Sequence, residues 1–460
     1  MATSIDGLAS GLNTTAIINS LMSVEALPQA QLKTKLQNNQ TVISTLQSLN
    51  VKLTALKDVA SGNAAAGALN LFTATSSSPS VTAKTTTAAA AGSIDLTVTQ
   101  LAQTQVNVTA AMATWPTDGG APARLTIVDA TGKKTEISPA STSLDDVVSA
   151  INAASGGAQA VKVPAGNGTY RLQLTATTSG AAGAFTAYRG TAAQVTAGTA
   201  VDLMADPGAA VVKSAQDAKA TLYAGTAAEQ VLSSGTNTFA DVLPGVSVTA
   251  SAVTAAPVTV TVASDVAGIA KKAEGLVTAV NDVLSFVAMY SAVSKATDAS
   301  GATVPKAGIF TGNGSVRAVN DQVLAALSRP IDGKSPAEYG INITKDGNFT
   351  FDAAKFSAAM TADPVATQTA VQALATRVAD AATAAADPYS GSISGLIKGR
   401  ESEVRDLGTR IADWDQRLAT RRATLQSVYT NMEVLLGGLQ SQSAWLSGQI
   451  SSLSKQSTGE

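Results

Sequence analysis

Two short motifs carry residues that could do chemistry, and each has a simpler interpretation. Residues 312–317 read Gly-Asn-Gly-Ser-Val-Arg, which could form a glycine-rich loop that binds an anion. The motif lacks the lysine of a P-loop and follows no strong strand, so it favours a helix-capping turn. Asp346, Gly347 and Asp352 could suggest a calcium site. The alternating ligands of an EF-hand are missing, which favours a hairpin turn.

The other residues that often occur in catalytic or ligand-binding sites do not form a recognisable set in this sequence. Asn167, Gly168 and Thr169 form an Asn-x-Thr triplet that is expected by chance in a chain so rich in threonine and asparagine. Trp115, Trp414 and Trp445 are predicted to be packing residues. The chain has no cysteine and no histidine, which excludes disulfides, thiolate chemistry, Ser-His-Asp triads and histidine-ligated metals. The sequence therefore predicts no enzyme, no catalytic residue, no metal site and no cofactor.

The amino-acid composition argues against nucleic acid and membranes as partners. The 460 residues allow about three domains, and charged residues make up 14% with a net charge of -2. Such a balance gives no electrostatic case for nucleic acid or an anionic membrane. No run of 18 apolar residues could cross a bilayer, so membrane insertion is not expected. The N-terminus lacks the basic and apolar regions of a secretory signal peptide, which indicates a cytoplasmic protein or export without a cleaved signal.

A long heptad pattern over residues 397–453 is the strongest structural signal. Its first core position is apolar at every repeat, whereas its second is polar at Arg400, Arg421 and Gln442 among others. An ordinary amphipathic bundle helix is the alternative, but the length and regularity favour a coiled coil. Gly437 and Gly438 weaken the helix, so the tail beyond them is expected to be flexible. The predicted coiled-coil seam consists of Val404, Leu407, Ile411, Trp414, Leu418, Leu425, Val428, Met432 and Leu435.

Helical patterns at both chain ends predict that the ends pack together. Residues 42–56 carry an apolar stripe at steps of four and three, and residues 266–290 repeat the pattern. Gly7 and Gly11 punctuate the first residues, which predicts a flexible lead-in. Between the helical parts lie alternating strand patterns and a ββαββ unit from Arg124, with Ser143 as a helix cap. The predicted fold is α+β, with a helical coiled-coil or bundle stalk formed by both chain ends and inserted β-rich head domains.

The pattern divides the chain into five predicted parts. Residues 1–41 form a flexible N-terminal segment, and residues 437–460 form a flexible C-terminal tail. The helical stalk comprises residues 42–76 and 264–436. A β-rich head domain comprises residues 77–116 and 213–263. A second head domain, residues 117–212, is inserted into the first and contains the ββαββ unit.

Several stretches resemble the bacterial flagellar filament cap protein family (hook-associated protein 2, FliD). They are SIDGLASGLNTTAIINSLM at residues 4–22, DLTVTQLAQ at 95–103, ADVLPGVSVT at 240–249 and YGINITKDGNFTFD at 339–352. Residues 124–185 look like the short repeat shared by cap proteins and flagellins. The matches span both ends and the middle in the family's order. They are weakest at 62–90 and 176–215.

The resemblance implies a structural function at the distal tip of the flagellar filament. Cap proteins form a homo-oligomeric ring there, with five subunits expected, and promote the insertion and polymerisation of exported flagellin. The implied partners are flagellin, other copies of the chain, hook-filament junction proteins and an export chaperone. Export is implied to follow the flagellar type III route without a cleaved signal. The implied filament-contacting residues are Ile5, Leu8, Leu12, Ile17, Ile18, Leu21, Leu439, Leu446, Ile450 and Leu453.

Two other kinds of structural protein stay open at this point. A flagellin-like or junction subunit would also have helical ends, but it would leave the hairpin and the DVLPGVS segment unexplained. A surface adhesin would bind host glycans through the head domains and would not affect polymerisation.

Overall fold

The computed structural model describes residues 9–117, 122–297 and 300–456, with side chains up to residue 452 at the C-terminal end. Long helices occupy both ends of the chain, and shorter helices lie between them. The α-helices are α1 (Thr14–Glu25), α2 (Leu27–Ala64), α3 (Leu144–Ala153), α4 (Ala192–Ala197), α5 (Val266–Ser291), α6 (Gly314–Ser328), α7 (Ala353–Ala362), α8 (Pro364–Ala386) and α9 (Ser392–Gln456).

The strands lie mostly between α2 and α5. They are β1 (Phe72–Ser76), β2 (Val81–Thr85), β3 (Gly92–Gln100), β4 (Val106–Val108), β5 (Leu125–Asp129), β6 (Lys134–Ile137), β7 (Ala158–Gly166), β8 (Thr169–Ala176), β9 (Phe185–Arg189), β10 (Val201–Asp202), β11 (Ala210–Lys213), β12 (Ala218–Leu222), β13 (Gln230–Ser234), β14 (Thr238–Leu243), β15 (Val246–Ala250), β16 (Val258–Ser264), β17 (Ser294–Thr297), β18 (Thr303–Lys306), β19 (Ile341–Ile343) and β20 (Phe349–Phe351). Two short 3₁₀ turns, Ala181–Gly183 and Pro336–Tyr339, complete the elements.

The chain folds as two compact units, a helical unit from the described parts of Met1–Ala65 and Ala270–Glu460 and a β-rich unit from Ala66–Ile269. Each unit has its own buried apolar residues. The α+β fold predicted from the sequence is thereby confirmed, with both chain ends in the helical unit and the β-rich part inserted between them. Among the described residues, no helix combines the length and the apolar character needed to cross a membrane.

The core of the helical unit follows the heptad stripes. Leu46, Leu49, Leu53 and Leu56 of α2 are fully buried and share one core with α5, α6 and α8. This confirms the apolar stripes that the sequence predicts for α2 and α5, because leucines at steps of three and four form one helix face. The Nδ2 of Asn281 on α5 donates to the carbonyl of Phe349, and its Oδ1 accepts from the same residue's N–H, which ties the β19–β20 hairpin to the unit.

The β-rich unit contains two cores. The five-stranded sheet β1-β16-β3-β12-β13 and the three-stranded sheet β14-β15-β2 enclose the first. The sheets β10-β9-β5-β6 and β11-β4-β8-β7, with α3, enclose the second around Trp115 and Leu172. The predicted ββαββ unit is confirmed as β5, β6, α3, β7 and β8, and Ser143 caps α3 by accepting from the N–H of Asp145.

Candidate functional site

The motifs that could have done chemistry are structural turns. Asn313 caps α6, its Oδ1 accepting from the N–H of Val316 at 3.2 Å. Gly347 lies in the turn between β19 and β20 with a φ of 80°, and Asn167 lies in the turn between β7 and β8. In the described parts of the chain, no three acidic side chains converge on a point where a metal ion could bind. The candidate site is therefore a surface rather than a pocket with reactive groups.

Helix α1 packs along the second half of α9 in the opposite direction. Asn13 caps α1 by accepting from the N–H of Ala16 at 2.8 Å, and Ile18 and Met22 are buried. Polar bonds fix the alignment on α9. The Nη2 of Arg422 donates to Asn19 Oδ1 at 2.6 Å, and the Nε of Arg421 lies 3.3 Å from Glu25 Oε1.

The same pairing continues into α2. The Nε2 of Gln29, a buried side chain, donates to Asp415 of α9. Residue numbers rise along α1 and α2 as those on α9 fall, so the two chain ends form an antiparallel helical pair. Among the described residues, two helices meet here, so each apolar side chain is covered from one direction.

An ion cluster marks the point where this pair joins the core of the helical unit. Glu403 Oε1 lies 3.0 Å from Lys35 Nζ, and Arg400 Nη1 donates to Glu403 Oε2 at 2.8 Å. Arg400 Nη1 also lies 3.4 Å from Asn39 Oδ1. The bonds from Lys35 and then Arg400 hold the pKa of Glu403 below its usual value, because they favour the charged carboxylate.

The N-terminal residues proposed from the resemblance fall into four groups. Ile5 and Leu8 lie outside the described residues. Leu12 and Leu21 are exposed, and Ile17 is half-buried. Ile18 is buried against the rest of its own subunit.

The C-terminal residues of the same proposal are exposed. Leu439, Leu446 and Ile450 are 60%, 55% and 61% exposed, and the side chain of Leu453 lies outside the described ones. From Gly438 to Ser452 every residue of α9 is exposed, although the helix continues through Gly437 and Gly438 to Gln456. Trp445, which the sequence predicts to be a packing residue, is 65% exposed, because no other described part of the chain covers this turn of the helix.

The predicted seam of α9 is covered to different degrees along its length. Leu407 is buried, and Val428 and Leu435 are exposed. A straight helix drifts by about 20° per heptad, so the covered face moves to Tyr429 and Leu436 towards the C-terminus. The half-buried seam residues are Val404, Ile411, Trp414, Leu418, Leu425 and Met432.

Sequence reasoning missed part of the exposed apolar surface. Val24, Leu27, Val434 and Trp445 all lie open at the paired ends. A usable signal was present, since Glu433 is the single charged residue between Arg422 and Lys455. A long helical stretch that is almost uncharged and exposed indicates a surface for another protein.

The fold and this surface define a structural protein with an exposed apolar surface on its paired helical ends. Two family models match it, the flagellar hook-associated protein 2 N-terminus at residues 10–105 and the flagellar hook-associated protein 2 C-terminus at residues 215–441. The chain belongs to the flagellar hook-associated protein 2 family.

Relatives of similar length support the assignment. The chain is 27% identical over 463 residues to flagellar hook-associated protein 2 of Escherichia coli O157:H7, covering 96% of this chain and 97% of the relative. It is 31% identical over 216 residues to the B-type flagellar hook-associated protein 2 of Pseudomonas aeruginosa, covering 45% and 44%. The crystal structure of the D1-D2-D3 domains of the flagellar cap protein FliD from Escherichia coli covers 77% of this chain and 99% of its own, with 23% identity and a TM-score of 0.61, which shows a shared fold.

Proposed function

We propose that this protein caps the bacterial flagellar filament and promotes the polymerisation of flagellin at its tip. Membership of a family that includes the flagellar cap protein FliD of Escherichia coli supports this function. The observation that carries the mechanism is the exposed apolar end of α9, with Leu439, Trp445, Leu446 and Ile450 open to solvent. A cap of this kind is a structural protein and not an enzyme.

The exposed surface has the character of a helical partner site. Covering apolar side chains that lie exposed on a helix lowers the free energy. The decrease is about 25 cal/mol for each Å² of apolar surface that is buried. The part of α9 beyond Arg422 is nearly uncharged, so a partner that covers it meets little cost from removing charged groups from water. A filament built from helical chain ends would provide such a partner, and this matches the residues Leu439, Leu446 and Ile450 proposed for contact, together with Leu12 and Leu21 from the N-terminal end.

The proposal extends to the assembly and its route. The capping form is a ring of several copies, five by the family resemblance, with flagellin and the hook-filament junction proteins as neighbours in the flagellum. Before assembly an export chaperone binds the exposed C-terminal end. The protein reaches the filament tip by the flagellar export route without a cleaved signal peptide.

Direct imaging tests the function. The chain has no cysteine, so Val253→Cys at an exposed position of the β-rich unit introduces a single labelling site. Purified labelled protein is added to filaments growing from exported or added flagellin. The proposal predicts one labelled focus at the distal end of each filament and continued growth from that end. Label along the filament would indicate a flagellin-like subunit, label at the hook a junction protein, and label on host cells an adhesin.

A further inference from the structure

The start of the described chain lies on one face of α9 and is bonded there through its backbone. Glu433 Oε2 accepts hydrogen bonds from the N–H of Ala9 at 3.0 Å and of Ser10 at 3.2 Å. The hydroxyl of Ser10 donates to the other carboxylate oxygen. About two turns further along the helix, the Nε2 of Gln440 donates to the carbonyl of Ala9. Both backbone groups of Ala9 are therefore recognised from a single helix face.

Between the side chains of Glu433 and Gln440, a glycine of α9 leaves room for the backbone of Ala9. Glu433, Gly437 and Gln440 follow one another at steps of four and three, which places them on the same face. A Cβ added at Gly437 would lie 3.8 Å from the Cβ of Ala9, whereas one added at Gly438 would meet nothing within 4 Å. Gly437 thus brings the backbone of α9 close to Ala9, and its neighbour Gly438 does not.

The charge of Glu433 makes this contact specific. It is the single charged residue between Arg422 and Lys455, so nothing else on this stretch of helix offers an anion to backbone N–H groups. A carboxylate that accepts N–H bonds forms hydrogen bonds about twice as strong as neutral ones. The hydrogen bonds of Glu433 to Ala9 and Ser10 can form at only one position along α9. Apolar side chains, in contrast, keep much of their contact when one helix slides along the other.

We infer that Glu433, Gly437 and Gln440 form a cradle that holds Ala9 and Ser10 on α9. Together with the bonds that Arg422, Arg421 and Asp415 make to α1 and α2, the cradle sets the register of the two chain ends. The register decides which apolar residues of α1 and α9 lie side by side on the exposed surface. The cradle itself is independent of any partner. Its importance for capping rests on the proposed function.

A disulfide in the cysteine-free chain tests the cradle in the purified full-length protein. The Cβ separation at residues 9 and 437 falls in the range of about 3.5–4.5 Å found in disulfides. Ala9→Cys with Gly437→Cys is expected to cross-link readily under mild oxidation. Ala9→Cys with Gly438→Cys is the matched control, with the same composition and a Cβ on another face. Equal cross-linking in both pairs, or none in the first, would overturn the inference.

The role of Glu433 is tested in the same assay. Glu433→Ala removes all three hydrogen bonds and is expected to slow cross-linking of the 9–437 pair by about tenfold or more. Glu433→Gln keeps an acceptor oxygen and should fall between Ala and the native residue. An unchanged rate with alanine would show that Glu433 does not hold the segment.

Covalent rescue separates positioning from a general effect on stability. Glu433→Ala is expected to reduce the filament growth promoted by added protein, and the oxidised 9–437 disulfide in that variant should restore it. Failure of the disulfide to restore growth would refute the role of register. If the native protein gave no growth, the proposed function would fail, while the cross-linking result would still decide whether the cradle exists.

Discussion

Leu407 and Leu446 are the same residue type on the same helix, yet their surroundings differ. Leu407 is buried in the helical unit at 1% exposure, and Leu446 lies open near the end of α9. Leu407→Ala is expected to lower the free energy of unfolding by about 2–5 kcal/mol, because it removes packed methyl groups and leaves a cavity. Leu446→Ala should change it by less than about 0.5 kcal/mol. Urea denaturation of both variants measures this, and equal losses would show that the tail is packed within the subunit.

The carboxylate of Glu403 gives stability a dependence on pH. Contacts with Lys35 and Arg400 lower its pKa below the ordinary value of 4.5, so its contribution is complete above that pH and is lost as the pH falls through the lower folded value. Glu403→Gln is expected to reduce the free energy of unfolding at pH 7 by about 0.5–1 kcal/mol, since the pair is partly exposed.

Urea titrations at pH 7 and pH 3 check this dependence. The difference between native protein and variant should shrink at the lower pH. Glu401→Gln is the control, because Glu401 has no ion pair among the described residues. A difference that stayed constant with pH would contradict the assignment.

At the scale of elements, the sequence predicted those helices in which buried apolar residues recur at regular intervals. The leucines of α2 and the stripe of α5 specify their helices because one face of each is fully buried. Asn313, Ser143 and Asp363 were recognisable as helix starts because capping needs a short polar side chain. The contact surface was predictable only in outline, as Trp445 and Ile18 show, since which face of a helix is covered depends on its neighbours.

The strands and helices that were not predicted from the sequence lie where the alternation of apolar and polar residues is weak. Residues 176–215 contain β9, α4, β10 and β11, whose side chains are small and often half-exposed. Strand β11 pairs with β4, about 100 residues earlier in the chain, so its position depends on contacts that no local window contains. The β1 and β2 strands were missed for the same reason, because each pairs with a distant strand.

An excision tests whether part of the β-rich unit is an inserted domain, as the sequence predicts for residues 117–212. Strands β4 and β11 belong to the same sheet as β7 and β8. The deleted segment must therefore be longer than residues 117–212, so that the whole sheet is removed. Gln103 and Gln216 pair through two backbone hydrogen bonds, which allows residues 104–215 to be replaced by an Asn-Gly turn.

The shortened chain should keep the helical signal in circular dichroism, apart from the short helices α3 and α4 that leave with the segment. A cooperative melt near that of the native protein is expected, since the core of the helical unit is separate from the removed core. Loss of the helical signal would contradict an independent insertion.

At the scale of the whole molecule, the charges near the paired ends disfavour a closed dimer of this chain. Arg400 and Arg421 already bond to Glu403 and Glu25 within the subunit, and burying them in a tight seam would require removing them from water. We expect copies to associate as a ring of several subunits that dissociates on dilution. Mass photometry and sedimentation across concentration measure this, and a stable dimer at every concentration would contradict it.

The exposed end of α9 is proposed to bind a partner outside the subunit. The measurement is filament growth in cells lacking their own cap protein, with Leu439→Asp or Leu446→Asp in this chain, compared with thermal melts of the purified variants. Ile411→Asp and Leu418→Asp, at half-buried positions, are the folding controls and should lower the melting temperature. Both tail variants are expected to melt like the native protein and to fail to support filament growth. Normal growth with the tail variants would contradict it.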